Sequence, residues 1–158
     1  CGDVQIAVVN LLGRVYMNMP ALDCPFHTVQ ALLAEIQAQT PIILVDFHAE
    51  TTSEKLALAN FLDGRVTAVW GTHTHVQTND ARLLPRGTAY LSDAGMTGAR
   101  DSVLGVETEG VVARYLSGRP SPFVVAHGVA QLNGLLLEFA PDGKARNIQT
   151  VNREVPLL

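Results

Sequence analysis

Apolar residues fall in short runs separated by turn residues, and two of these runs are continuous rather than alternating. Pro41 opens the first, Ile42 to Phe47, interrupted only by Asp46; the second is Val66 to Trp70. Continuous apolarity suits a parallel strand covered on both faces. Between them, Thr51 and Glu54 have capping-box spacing. They predict a helix over Thr52 to Leu62 with Leu56, Ala59 and Leu62 inward, stopped by Asp63-Gly64. The result is a strand–helix–strand unit, read as a parallel pair with a right-handed crossover. Upstream, Val4 to Leu11 predicts a strand. Leu12 to Phe26, with Gly13, Pro20 and Pro25, predicts a long loop. Over His27 to Gln39, the spacing of Val29, Leu32, Leu33 and Ile36 predicts an amphipathic helix. Downstream, Arg82 to Leu84 and Thr88 to Ser92 predict short strands around Pro85-Arg-Gly87. Asp93 to Ser102 reads as a Gly-rich loop, and Gly105 to Leu116 as a helix closed by Gly118 and Pro120. The tail predicts strands over Phe123 to Ala126, Leu132 to Ala140 and Arg146 to Asn152, with a turn at Pro141-Asp-Gly-Lys144. The fold class is therefore α/β, with parallel central strands and a β-rich C-terminal part.

Length and charge narrow this picture. The 158 residues fit a single domain, residues 1–158, large enough to bury a core. Apolar residues make up 47% and charged residues 16%, which favours large buried surfaces, some shared with a partner or a further segment. The net charge of −4 offers no basic footprint, so binding nucleic acid through its phosphates is not expected. Cys1 and Cys24 have no metal-ligand spacing and no disulfide framework, and the default compartment is a reducing cytoplasm. No apolar run approaches the roughly 20 residues of a membrane span.

Chemistry gathers where the two continuous runs end. Past Val69-Trp70, Gly71 breaks the strand, and His73 and His75 follow as His-x-His. In an extended segment residues i and i+2 point to one side. His48 follows the other run. Ligands of open parallel sheets bind at the carboxyl ends of strands, so neighbouring strands would bring three imidazoles together. Neutral imidazole is a prime ligand for transition metals, and His48, His73 and His75 are the candidate metal ligands. Asp46, two residues before His48, is either a fourth ligand or the acceptor that orients His48. Asp93, at another strand end, is a weaker candidate for either role. His27 and His127 read as capping, surface or structural residues. No nucleophile motif, dinucleotide fingerprint or P-loop is present, so no catalytic side chain is assigned.

Several blocks carry a resemblance: Asn10-Leu-Leu-Gly-Arg14, Val45-Asp-Phe-His-Ala-Glu-Thr-Thr-Ser-Glu-Lys55, Gly71-Thr-His-Thr-His-Val-Gln-Thr78, Gly87-Thr-Ala-Tyr-Leu-Ser-Asp93 and Gly95-Met-Thr-Gly98. In this order they resemble the bacterial YmdB-like phosphodiesterases of the calcineurin-like metallophosphoesterases. The resemblance implies a layered α/β metallophosphoesterase-type sandwich. It implies two divalent metal ions, iron or manganese before zinc, with His48 and His73 on one and His75 on the other. It implies hydrolysis of small phosphodiesters, cyclic nucleotides among them, by water activated for in-line attack. The family also carries an N-terminal half with an Asp, a Glu-Asn pair and a Gly-Asn-His block. No Asn-His dipeptide occurs here, and Asn10 to Arg14 matches a segment well past that block, so Asp3 does not inherit the family's opening Asp. The chain is expected to be the C-terminal portion of such a domain, incomplete at its N-terminal side.

The leading expectation is a metallophosphodiesterase in which this chain supplies the histidine half of the site. A mononuclear hydrolase with three histidines and one water is the enzymatic alternative. A catalytically silent oligomerising or regulatory module is the alternative of another class, and a homo-oligomer is compatible with the low charged fraction.

Overall fold

A computed structural model of the chain describes residues 4–18 and 23–155. In chain order its elements are β1 (Ala7–Leu12), α1 (Pro25–Gln37), β2 (Ile43–His48), α2 (Thr52–Leu62), β3 (Ala68–Thr72), β4 (Arg82–Leu83), β5 (Ala89–Leu91), β6 (Gly98–Ala99), α3 (Thr108–Ser117), β7 (Ala130–Phe139) and β8 (Ala145–Val155). One sheet has the order β1-β2-β3-β5-β4, parallel throughout except for antiparallel β4. The second has the order β6-β7-β8. The chain divides into two compact units, residues 1–95 with 135–150, and residues 96–134 with 151–158.

The first unit is layered as the continuous apolar runs require. Ile43, Val45 and Phe47 of β2 point to one face, where Val29 and Leu33 of α1 and Leu58 and Leu62 of α2 bury them with Val9, Leu11 and Val69. The alternate residues Leu44, Ala68, Trp70, Ala89 and Leu91 meet Leu135, Leu137, Ala145 and Ile148 from the β7–β8 hairpin on the other face. β2 and β3 are thus covered twice, as expected. β1 is an edge strand buried on one side only: Val9 is 7% exposed and Val8 66%.

In the second unit β6 pairs antiparallel with the start of β7, Ala99 opposite Ala130. Arg100 forms ion pairs with Asp101 and Glu154. α3 ends at Gly118, in the left-handed conformation at φ 67° that a residue without Cβ adopts freely.

Several sequence expectations need correcting. α1 starts two residues before His27, because Pro25 occupies its first turn, where a missing N–H costs nothing. The inward face of α2 is Lys55, Leu58, Ala59 and Leu62, an i, i+3, i+4, i+7 stripe, with Leu56 only half-buried. Glu54 does not close a capping box. Thr51 Oγ1 accepts from the Glu54 N–H at 3.3 Å, but the Glu54 carboxylate is buried and accepts from the N–H groups of Arg14 and Val15. β3 continues through Gly71 to Thr72 instead of breaking there. A Cβ on Gly71 would lie 1.9 Å from the Ser92 carbonyl oxygen, so this glycine marks a close backbone approach. Phe123 to Ala126 forms only a bridge, Val125 with Val106, and β6 arises in the stretch read as loop. Cys1 and Asp3 lie outside the described residues.

Candidate functional site

β2 and β3 pair in parallel, with His48 in register with Thr72. Asp46 and His48 therefore leave the sheet at the same edge as Thr72 and His73. A chain of polar contacts crosses this edge. Asn10 Nδ2 donates to Asp46 Oδ2 at 2.9 Å, and Thr72 Oγ1 donates to Asp46 Oδ1 at 3.2 Å. His48 Nδ1 lies 3.1 Å from Thr72 Oγ1, and His48 Nε2 lies 3.1 Å from His73 Nδ1. His73 Nε2 lies 2.6 Å from Glu50 Oε2. The two rings meet edge to face, centroids 4.9 Å apart.

The outer contacts assign the protons. The Thr72 hydroxyl hydrogen goes to Asp46, so His48 Nδ1–H must be the donor to Thr72. A carboxylate only accepts, so His73 Nε2–H donates to Glu50. His48 Nε2 and His73 Nδ1 are then both bare, lone pair facing lone pair, at 3.1 Å. That arrangement is repulsive unless a cation or a shared proton lies between them. Bonds of about 2.0–2.1 Å at angles of roughly 90–110° place two nitrogens on one metal about 2.9–3.4 Å apart. The pair fits a metal ion both in spacing and in protonation state. Burial, followed by the nearby charge of His73, lowers the pKa of His48, and this favours the neutral ligand form.

The next loop departs from the extended geometry assumed for His-x-His. His73 has φ 115° and His75 φ 66°, both in the left-handed region, so the same-side rule for extended chain does not apply. His75 is exposed and makes no hydrogen bond or ion pair among the described residues. No group of three His, Cys, Asp or Glu side chains among the described residues is arranged to hold a metal ion. A site made of three histidines from this chain alone is therefore not assembled in this structure.

Asp46 and Asp93 both lie at this edge with their oxygens occupied. Asp46 takes Asn10 and Thr72, and so orients His48 through the threonine hydroxyl. Asp93 takes Lys55 Nζ and the Thr74 N–H at Oδ2, both at 3.0 Å, and the Gly95 N–H at Oδ1 at 2.9 Å. Burial alone would raise the Asp93 pKa. The hydrogen bonds from Gly95, Thr74 and Lys55 outweigh it and hold the carboxyl below its usual range. His27 opens α1, and His127 lies in the other unit. Sequence reasoning missed Glu50, Thr72, Asn10 and Lys55. Glu50 and Thr72 were detectable as polar residues adjoining the histidines, and Asn10 as a polar residue inside an apolar strand. Lys55 carried no signal, because a helix lysine is ordinarily exposed.

The sequence and the fold have clear counterparts among known proteins. A 2′,3′-cyclic-nucleotide 2′-phosphodiesterase of Bacillus subtilis (strain 168) is 50% identical over 134 residues, covering 85% of this chain and 50% of that protein. A hypothetical protein from Thermus thermophilus has a crystal structure that matches with a TM-score of 0.86 at 46% identity, over 94% of this chain and 57% of that one. A novel phosphatase from Mycoplasma pneumoniae matches with a TM-score of 0.84 at 36% identity, over 93% of this chain and 52% of that one. The chain spans about half the length of the curated relatives it matches. Its sheets are thus those of phosphatase-type α/β folds, and the model of the family described as YmdB-like protein matches residues 1–151. The chain belongs to the YmdB-like protein family.

Proposed function

We propose that this chain is the histidine-bearing part of a metal-dependent phosphodiesterase acting on small phosphodiesters such as 2′,3′-cyclic nucleotides. The observation that carries the reading is the pair of bare nitrogens, His48 Nε2 and His73 Nδ1, facing each other at 3.1 Å. Relatives named as a cyclic-nucleotide phosphodiesterase and a phosphatase support the reaction class. His48 and His73 would hold one divalent ion, and the family resemblance assigns His75 to a second. Iron or manganese suits this imidazole and carboxylate chemistry, with zinc an alternative. Bound there, such ions would supply Lewis-acid polarisation of a phosphoryl oxygen and acidify water.

This chain's own residues prepare the donors. Asp46, through Thr72, keeps the proton of His48 on Nδ1, and Glu50 keeps that of His73 on Nε2. These two contacts leave His48 Nε2 and His73 Nδ1 as the nitrogens turned toward each other and available as donors. Among the described residues this donor set is incomplete, since no third His, Cys, Asp or Glu joins the pair.

Elemental analysis of the protein carrying His73→Ala tests the reading, with His27→Ala as control. Metal content should drop for the first and hold for the second, and equal content would sink the assignment. Hydrolysis of 2′,3′-cyclic AMP should fall in parallel.

A further inference from the structure

Lys55 and Asp93 form an ion pair at 3.0 Å with side chains only 3% and 1% exposed. A buried ion pair is weak evidence of stability, because apolar residues of the same volume do as well or better; its best-attested use is to specify geometry. The surrounding contacts show which geometry. Asp93 Oδ2 accepts from Lys55 and from the Thr74 N–H, and Thr74 sits between the two histidines. The Asp93 N–H donates to Thr78 Oγ1, and the Thr78 N–H donates back to the Asp93 carbonyl. The arch from His73 to Gln77 is thus pinned in its first half and at its end to one residue. Gly71 lets the lysine through: a Cβ there would lie 2.7 Å from Lys55 Cδ, as well as against the Ser92 carbonyl. The pinned arch contains His73 at φ 115° and His75 at φ 66°, conformations that persist only where the surroundings over-determine them.

We propose that the buried Lys55–Asp93 pair is a positioning clamp that holds the His73–His75 arch in its left-handed conformation and so aims His73 Nδ1 at His48. In its consequence for metal binding the proposal rests on the reading of these histidines as ligands. Asp93 contributes no ligand, because its oxygens already serve Lys55, Thr74 and Gly95. Lys55 fixes the carboxylate on the helix side, so that Oδ2 meets the Thr74 N–H.

The test compares Asp93→Asn, Lys55→Met and a matched control, Asp63→Asn. Asp63 is also a buried carboxylate that accepts two backbone N–H groups, those of Arg86 and Thr88, but near the amino-terminal ends of β3 and β5. An asparagine has one acceptor oxygen and no charge, so Asp93→Asn orphans the N–H of Thr74 or Gly95 and in either case removes the ion pair that seats the acceptor against Thr74. Two readouts are taken on metal-free and Zn2+-titrated protein: amide hydrogen exchange at Thr74, and Zn2+ affinity against a competing chelator, with Tm alongside. Asp93→Asn should speed Thr74 exchange at least about tenfold beyond its loss of global stability, and weaken Zn2+ binding about 10–100-fold. Lys55→Met should move both readouts the same way by less, and it carries the test if the asparagine variant does not fold. Asp63→Asn should lower Tm and move neither. The clamp is overturned if Asp93→Asn and Lys55→Met behave like Asp63→Asn. Should the unaltered protein take up no Zn2+, the ligand reading falls, and Thr74 exchange alone decides the clamp, faster in both variants upholding it and unchanged overturning it.

Discussion

Glu50 illustrates how a half-exposed residue can matter more than its burial suggests. It is 47% exposed, yet its carboxylate holds the Nε2 proton of His73 at 2.6 Å. Glu50→Ala should leave Tm nearly unchanged and weaken metal binding about 10–100-fold, with Glu50→Gln recovering part of the loss through its amide oxygen. Metal titration beside a thermal melt checks both. His48 yields a pH expectation. Burial lowers its pKa in the folded state, so as pH falls through about 6.5 the unfolded chain takes up a proton that the folded chain refuses. Bound protons then favour the unfolded state, and stability falls with pH until the lower folded value is passed. Melts between pH 7.5 and 5 should show this slope, and His48→Gln should flatten it. Tyr90 has the opposite character. Its hydroxyl is buried without a hydrogen-bond partner among the described residues, and burial pushes its pKa up to about 12. Tyr90→Phe removes an unsatisfied polar group and should raise stability by about 1 kcal/mol in chemical denaturation; a loss of that size would mean that the hydroxyl has a partner.

Elements were legible wherever one physical signal dominated. The continuous apolarity of Ile42 to Phe47 announced a doubly covered strand, and Thr51 announced the start of α2. The sequence also brought Asp46, His48 and His73 to one sheet edge, because parallel pairing of β2 and β3 follows from the helix between them. It was silent where a residue type has two uses. Gly71 is a strand breaker by propensity, but here it is the gap through which β5 and Lys55 approach β3. Glu54 has the spacing of a capping box, but its carboxylate instead fastens the backbone of Arg14 and Val15, three-dimensional information that no local window contains. The left-handed φ values of His73 and His75 are equally invisible, since histidine rarely adopts them unaided. At this scale Gly71→Ala is the diagnostic change. Its Cβ would force Ser92 and Asp93 away from β3, at a cost of about 3 kcal/mol or more by overpacking. Denaturant unfolding should show that loss, and Ala at Gly134, where a Cβ meets open space, should not.

For the whole molecule, the open flank of β1 is the feature with most consequence for handling. Val4, Ile6 and Val8 are 52%, 37% and 66% exposed on or beside an edge strand. Exposed apolar edges invite strand pairing between molecules. Val8→Lys should reduce light scattering of concentrated protein while leaving Tm within about 0.5 kcal/mol equivalent. The division into two units has a different outcome. The sheet that carries His48 and His73 has all its described strands once Leu91 is in place, but the cover for its second face, Leu135 to Ile148, comes much later in the chain. On a ribosome adding about 5–20 residues per second, Ala68, Ala89 and Leu91 wait several seconds before that hairpin emerges. For that interval the nascent sheet is a half-closed book, and whatever shields its open page during synthesis governs how much protein reaches the folded state.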